Sequence, residues 1–215
     1  MSTPTPNPAT LPIVLLGGGG HCLACIDVLE QAGAFAIRAI VDLPASLGRE
    51  VMGHKIEHTD FDLPDLIVTY QNVLVCLGQI KTAEPRRNMF RKAEDMGATF
   101  PSPVSPHAYV SPAAAIGEGT IVMHQALVNA EAEVGFGCII NSKALVEHGA
   151  RVGNFCHIAT GAALNGDALV GEGSFVGSLA TVAQGVKIGA GCIIGAGAVV
   201  LADVPAGKTV SGVWK

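Results

Sequence analysis

Charge is scarce in this chain, and neither sign is in enough excess to draw an oppositely charged polymer. Only 14% of the 215 residues are charged and the formal net charge is −5. That gives no electrostatic reason to expect nucleic acid or an anionic membrane surface as partner. Although 49% of residues are hydrophobic, no apolar run approaches the ~20 residues that a membrane span needs. The opening stretch MSTPTPNPAT has neither a basic n-region nor an apolar h-region, so it does not read as a signal peptide. Its Pro, Ser and Thr cannot bury apolar surface, and residues 1–10 are expected to be a disordered tail. A second cysteine pair is missing too. Cys22 and Cys25 form a C-x-x-C, but nothing completes a zinc site, and both read as small buried helix residues. The expectation is a soluble, cytoplasmic protein of one large or two small domains.

What the chain does have is a period of six. From Val104 every sixth residue is a branched aliphatic: Val110, Ile116, Val122, Val128, Val134, Ile140, Val146, and onward to Val200. Four places after each sits a small or short side chain, from Ala108 and Ala114 to Ala198 and Val204. Neither a helix of period 3.6 nor a lone half-buried strand of period 2 yields a strict six. A parallel β-helix does, because each coil repeats its inward positions and stacks like on like. Cys138, Cys156 and Cys192 fall in one inward column, as small core residues with free thiols.

The first hundred residues differ. LPIVLLGGGGHCLACIDVLEQAG reads as a strand (Ile13 to Leu16), a glycine turn (Gly17 to Gly20) and a helix ending near Gly33. Strands ending at Asp42 and Gly78 follow. This is a small parallel α/β sheet, with ligand expected at the carboxyl ends of its strands. Counting G-x-G-x-x-G from Gly17 places Cys22 at the third glycine, so the dinucleotide fingerprint is incomplete. The turn reads as part of a truncated nucleotide-binding fold with amides facing a phosphate or ribose, or as a tight turn serving only the fold. Asp42 either accepts a hydrogen bond from a base or ribose or ends its strand in an ordinary turn. Arg86 and Arg87, at a helix start, either reach a pyrophosphate or face solvent.

The combination resembles the bacterial sugar-nucleotide acyltransferases of the PglD and NeuD type. It carries the GxGGH turn of Gly17, Gly18, Gly19, Gly20 and His21, and the later run Ile139, Ile140, Asn141, Glu147, His148 and His157. The resemblance implies a Rossmann-like α/β domain (11–100) followed by a left-handed parallel β-helix of hexapeptide repeats (101–215), with glycine easing the corners. It also implies a homotrimer with acetyl-CoA along the groove between two β-helices. The implied activity is acetylation of the 4-amino group of a nucleotide-linked deoxyaminosugar for bacterial surface glycan synthesis, with GDP-perosamine favoured over UDP-linked sugars. By the same resemblance the catalytic residues are His148 as base and Glu147. His157, Gly166, Gly177 and Ala196 contact the cofactor, while Gly18, Gly19, Gly20, His21, Asp42 and Gly78 hold the sugar nucleotide. No metal is implied.

In the family it resembles three hexads make one coil of eighteen residues, so His148 and His157, nine apart, would lie half a circuit apart. They cannot share a site within a chain, but in a trimer His148 of one chain can approach His157 of the next. An amine loses a proton as it attacks a thioester, and an imidazole with an ordinary pKa near ~6.5 can take it; backbone N–H groups are candidate oxyanion donors, and the resemblance favours the one at Gly166. Relatives often carry an acidic residue after the catalytic histidine, whereas here Gly149 follows, which leaves open what orients the ring. Glu147 reads equally as a catalytic or a fold-supporting carboxylate. Two other classes fit less of the chain. One is a γ-carbonic-anhydrase-like zinc enzyme enlisting His107, His124, His148 and His157; the other is a non-catalytic nucleotide-sugar scaffold.

Overall fold

A computed structural model describes residues 10–215; the expected tail, apart from Thr10, lies outside the described residues. The chain divides into two compact units. One runs to Leu77 and includes Met89–Pro101, and the other comprises Gly78–Asn88 and Ser102–Lys215.

In the first unit, β1 (Leu11–Leu16) is followed by α1 (Gly20–Ala32) and β2 (Phe35–Val41). A short antiparallel pair, β3 (Glu50–Val51) and β4 (His54–Lys55), then precedes α2 (Leu63–Tyr70) and β5 (Val73–Val75). The main sheet is parallel, in the order β2-β1-β5. Its central strand is an unbroken aliphatic run, Ile13 to Leu16, all buried, as suits a strand covered on both faces. Gly33 ends α1 in the left-handed region (φ 64°), its N–H donating to Leu29 O. Cys22 and Cys25 are buried on α1, and both lie close to the buried thiol of Cys76, a third neighbour that the C-x-x-C spacing does not reveal. A third helix, α3, spans Glu84–Asp95.

The second unit is a triangular parallel β-helix of two-residue strands. Its first face stacks six strands, among them Ile139–Ile140, His157–Ile158 and Phe175–Val176. The second stacks seven, including Leu145–Val146 and Ala163–Leu164, and the third five, including Arg151–Val152 and Leu169–Val170. Partners across the rungs are eighteen residues apart, as Ile139 with His157, Leu145 with Ala163 and Arg151 with Leu169, until the shortened last coil, where Ile193 pairs with Thr209 and Val199 with Val213. The hexad aliphatics from Val122 to Val200 and the small residues four places on are buried in one continuous core.

Two features of the corners depart from expectation. The glycines directly after the inward aliphatic do not supply a left-handed turn. A Cβ on Gly171 would sit 2.4 Å from Ala190 N, and one on Gly177 2.6 Å from Ala196 N. They are glycine so that the next coil can approach. The left-handed residue comes two places later and is often not glycine, as at Phe155, Asp167 and Leu179. The cysteine column also does more than fill space. Cys138 and Cys156 point their thiols at the carbonyls of Gly153 and Gly171, at 3.1 and 3.2 Å. Thr120 and Ser174, in the same column, donate likewise to Gly135 and Gly189. The column satisfies one buried carbonyl per coil.

Two outcomes follow from this packing. Gly171→Ala is expected to lower unfolding stability by about 2 kcal/mol or more, as overpacking against backbone. Gly191→Ala (φ 65°, open space) should cost only ~1 kcal/mol of left-handed strain. Equal losses in urea melts would contradict the close-approach argument. Burial pushes the thiols of Cys76, Cys138 (to about 11) and Cys156 up, so at pH 8 they stay protonated. A disulfide reagent should therefore modify these three only in denaturant; rapid labelling of the native protein would contradict it.

Candidate functional site

The β-helix places the two histidines on opposite sides. His148 and Gly149 form the corner where the second face turns into the third, between the strands Leu145–Val146 and Arg151–Val152. His157 lies on the first face, opposite that corner. Gly166 sits one coil above His148, whereas Gly177 and Ala196 share the corner between the first and second faces. The four expected cofactor contacts thus divide, Gly166 going with His148 and the other three lying across the prism.

At the His148 corner the imidazole is exposed and lies over Gly166. A Cβ there would stand 2.5 Å from Cε1 and 2.8 Å from Nε2 of the ring, so any larger residue would displace it. Among the described residues the N–H of Gly166 donates no hydrogen bond. Equivalent corner amides, at Ala130, Ser142 and His148, are each capped by the preceding Asn or Glu side chain. The preceding residue here, Asn165, turns away and donates to Val182 O at 2.7 Å. An uncommitted amide beneath the imidazole is what an oxyanion donor requires.

Glu147 is occupied otherwise. Its Oε2 accepts the Asn129 side-chain amide at 2.8 Å and the His148 backbone N–H at 3.1 Å. The His148 amide is the main reason its carboxyl is held below the usual range, with Asn129 assisting. An ionised carboxylate bonded in this way fixes the turn and is a poor proton acceptor. The carboxylate that reaches this corner from the following coil is that of Asp167. Its Oδ1 fills the space that a Cβ on Gly149 would need, so a carboxylate from the following coil occupies the place where a side chain after His148 would lie.

On the first face His157 is buried. Nδ1 meets the Gln79 carbonyl at 2.7 Å and Nε2 meets the Asn141 side-chain amide at 3.0 Å, with Phe175 edge-on at 5.2 Å. Gln79, Arg86 and Arg87 belong to the segment Gly78–Asn88, which packs with the β-helix. Neither arginine behaves as either expectation held. Arg86 is 1% exposed and donates to Gln79 Oε1 at 3.2 Å and Gly137 O at 2.6 Å. Arg87 pairs with Glu172 at 2.9 Å and lies over the Phe155 ring. Gly78 falls in this same unit, apart from the other expected sugar-nucleotide residues.

In the first unit, Gly18 to Gly20 lead from β1 into α1. A Cβ on Gly18 would push against the tip of Ile56 and crowd the Asp42 carboxylate. Gly19 and Gly20 face open space, and Gly19 caps α1 with no side-chain bond and no acidic residue in the first turn. That end of the helix keeps its favourable potential for an anion. His21 follows in the first turn, half-buried. Asp42 folds back on the turn, accepting from Gly18 N–H at 3.2 Å and Leu43 N–H at 2.8 Å. Arg49 braces both, donating to the Gly18 carbonyl and lying 3.4 Å from Asp42.

The four histidines considered for zinc do not converge within a chain. His107 and His124 pair at 5.7 Å between ring centroids, and His124 Nδ1 meets Ser105 Oγ at 2.6 Å. Among the described residues no cluster of three His, Cys, Asp or Glu is arranged to hold a metal ion, and no helix is long and apolar enough to cross a membrane. Sequence reasoning missed Gln79, Asp167 and the structural use of Arg86. Eighteen-residue stacking could have exposed Asp167, which shares a corner column with Gly149; no sequence signal pointed to Gln79.

Residues 167–202 match the family described as bacterial transferase hexapeptide (six repeats). No curated protein matches the chain significantly. Among solved structures, PerB from Caulobacter crescentus, in complex with CoA and GDP-perosamine, is 37% identical over 91% of both chains, with a TM-score of 0.84. An alanine variant of one histidine in the GDP-perosamine N-acetyltransferase of that organism aligns at the same identity over 92% of both chains, TM-score 0.87. The acetyltransferase domain of PglB from Neisseria gonorrhoeae, in complex with acetyl coenzyme A, is 32% identical over 94% of this chain and 97% of that one, TM-score 0.88. With identity of this order along nearly the whole length, the chain belongs to the PglD and NeuD type of sugar-nucleotide acyltransferases within the hexapeptide-repeat superfamily.

Proposed function

We propose that the protein is an acetyl-CoA-dependent N-acetyltransferase acting on the 4-amino group of a nucleotide-linked deoxyaminosugar, GDP-perosamine by preference, in the synthesis of a bacterial surface glycan. The observation that carries it is the His148 corner, where an exposed imidazole lies over an uncommitted backbone amide. The complexes of relatives with CoA, acetyl coenzyme A and GDP-perosamine support the choice of ligands. In this reading the amine nitrogen attacks the thioester carbonyl, His148 takes the proton it loses, and the C–S bond breaks. The departing thiolate receives the proton back, so the products are an amide and CoA. The Gly166 N–H faces the oxygen on which charge develops. His157, Gly177 and Ala196 of the neighbouring chain line the cofactor, and the glycine turn with His21 and Asp42 receives the sugar nucleotide.

His148→Ala is expected to lower kcat by about 100- to 10,000-fold while acetyl-CoA still binds, as read by stopped-flow turnover and calorimetry. Native kcat in the variant would remove His148 from the mechanism.

Because the two histidines face away from each other within a chain, the reading requires a site between chains of a homotrimer. Co-expressing His148→Ala and His157→Ala chains in equal amounts, assayed at acetyl-CoA too dilute for the His157→Ala enzyme to turn over, should restore about a quarter of native activity, since every mixed trimer keeps one interface with both histidines intact. Activity no higher than that of either variant alone, in trimers that light scattering shows to be mixed, would place both residues of each site on one chain.

A further inference from the structure

The polar chain behind His157 has its direction fixed at both ends by backbone groups. At one end the Ser142 N–H donates to Asn141 Oδ1 at 2.8 Å, so the Asn141 amide must turn its NH2 toward His157 Nε2. At the other end the Gln79 carbonyl can only accept, so His157 Nδ1 must carry the hydrogen. Gln79 is anchored in turn: its Nε2 donates to Gly173 O at 3.1 Å, and its Oε1 accepts from the buried Arg86. Arg86 reaches on to Gly137 O. The hydrogen on His157 and the orientation of the Gln79 and Asn141 amides are therefore fixed by this chain.

We infer that Gln79 and Arg86 are positioning residues for the cofactor end of the site, locking His157 as the neutral Nδ1–H tautomer and thereby aiming Asn141. This inference rests on the placement of His157 beside acetyl-CoA given above. Its chemical consequence is specific. The Nε2 lone pair is engaged by Asn141, so His157 neither takes the amine proton nor donates to an oxyanion. What this side presents is the second amide N–H of Asn141, a donor suited to the carbonyl oxygen of an acetyl or pantetheine group. Proton transfer then stays with His148, on the chain opposite.

The test begins with the native trimer, using long-range 1H–15N NMR of labelled histidines, with His157 assigned by its Ala variant. An Nδ1–H tautomer is expected; an Nε2–H tautomer or an imidazolium would overturn the inference without any further variant. Next, Arg86→Met and Gln79→Met should mix the tautomers of His157 and raise KM for acetyl-CoA about tenfold, the worth of one hydrogen bond. KM for the sugar nucleotide should stay within twofold, and Arg86→Lys, which can keep one of the two bonds, should recover part of the loss. Variants that melt earlier but keep the tautomer and KM would reduce Gln79 and Arg86 to a structural role and overturn the inference. Mixed tautomers with unchanged KM would uphold the lock and instead remove His157 from the cofactor site.

Discussion

In-register stacking of one eighteen-residue coil on the next is the constraint that the second unit obeys up to its shortened last coil. Each two-residue strand takes its hydrogen bonds from the coil before and gives them to the coil after, so no strand is stable without its neighbours. Stacking explains why the inward positions are aliphatic or small and why glycine stands where two backbones nearly touch. It also explains why a hydroxyl or thiol recurs once per coil beneath an otherwise orphaned carbonyl. A hexad that broke the register would disturb the rungs on both sides at once.

The same constraint decides what the surface can do. A residue and the one eighteen places on are adjacent, so side chains along a corner compete for one strip of space. At the His148 corner the competition is resolved by exchange: the imidazole leans forward over Gly166, and the Asp167 carboxylate leans back over Gly149. Glu147 stays with Asn129 and the turn amide. Which carboxylate fills the place after His148 is set by stacking and not by closeness along the chain.

Much of this was legible in the sequence because the β-helix writes its period into side chains. The column from Val104 follows from counting, and the coil of eighteen and the half-circuit placement of His148 and His157 follow once the family resemblance sets three hexads to a coil. The strand, glycine turn and helix at Leu11 to Ala32 were legible for the same reason, since each leaves a local signature. What counting could not supply was anything set by chain far away in sequence. Arg86 and Arg87 look like solvent or phosphate ligands beside a helix start, yet Gly137, Glu172 and Phe155 claim them from more than fifty residues on. Cys76 joins Cys22 and Cys25 through the sheet, not through spacing. Glycine after the aliphatic suggested an easy corner, whereas only the coil above shows that the need is for clearance.

The segment Gly78–Asn88 carries a consequence for how such proteins can be recombined. It lies well before the repeats begin, yet it is bonded into the β-helix by Gln79, Arg86 and Arg87. The boundary between the units is therefore not a point on the chain, and the gene has no single seam at which the N-terminal unit can be exchanged. A transplant cut at residue 101 would carry those three side chains away with the donor. The repeats left behind would show an unfilled first face, with His157 deprived of its carbonyl. A substrate-recognition module could be swapped onto this β-helix only as two pieces, with eleven residues of the original host retained between them.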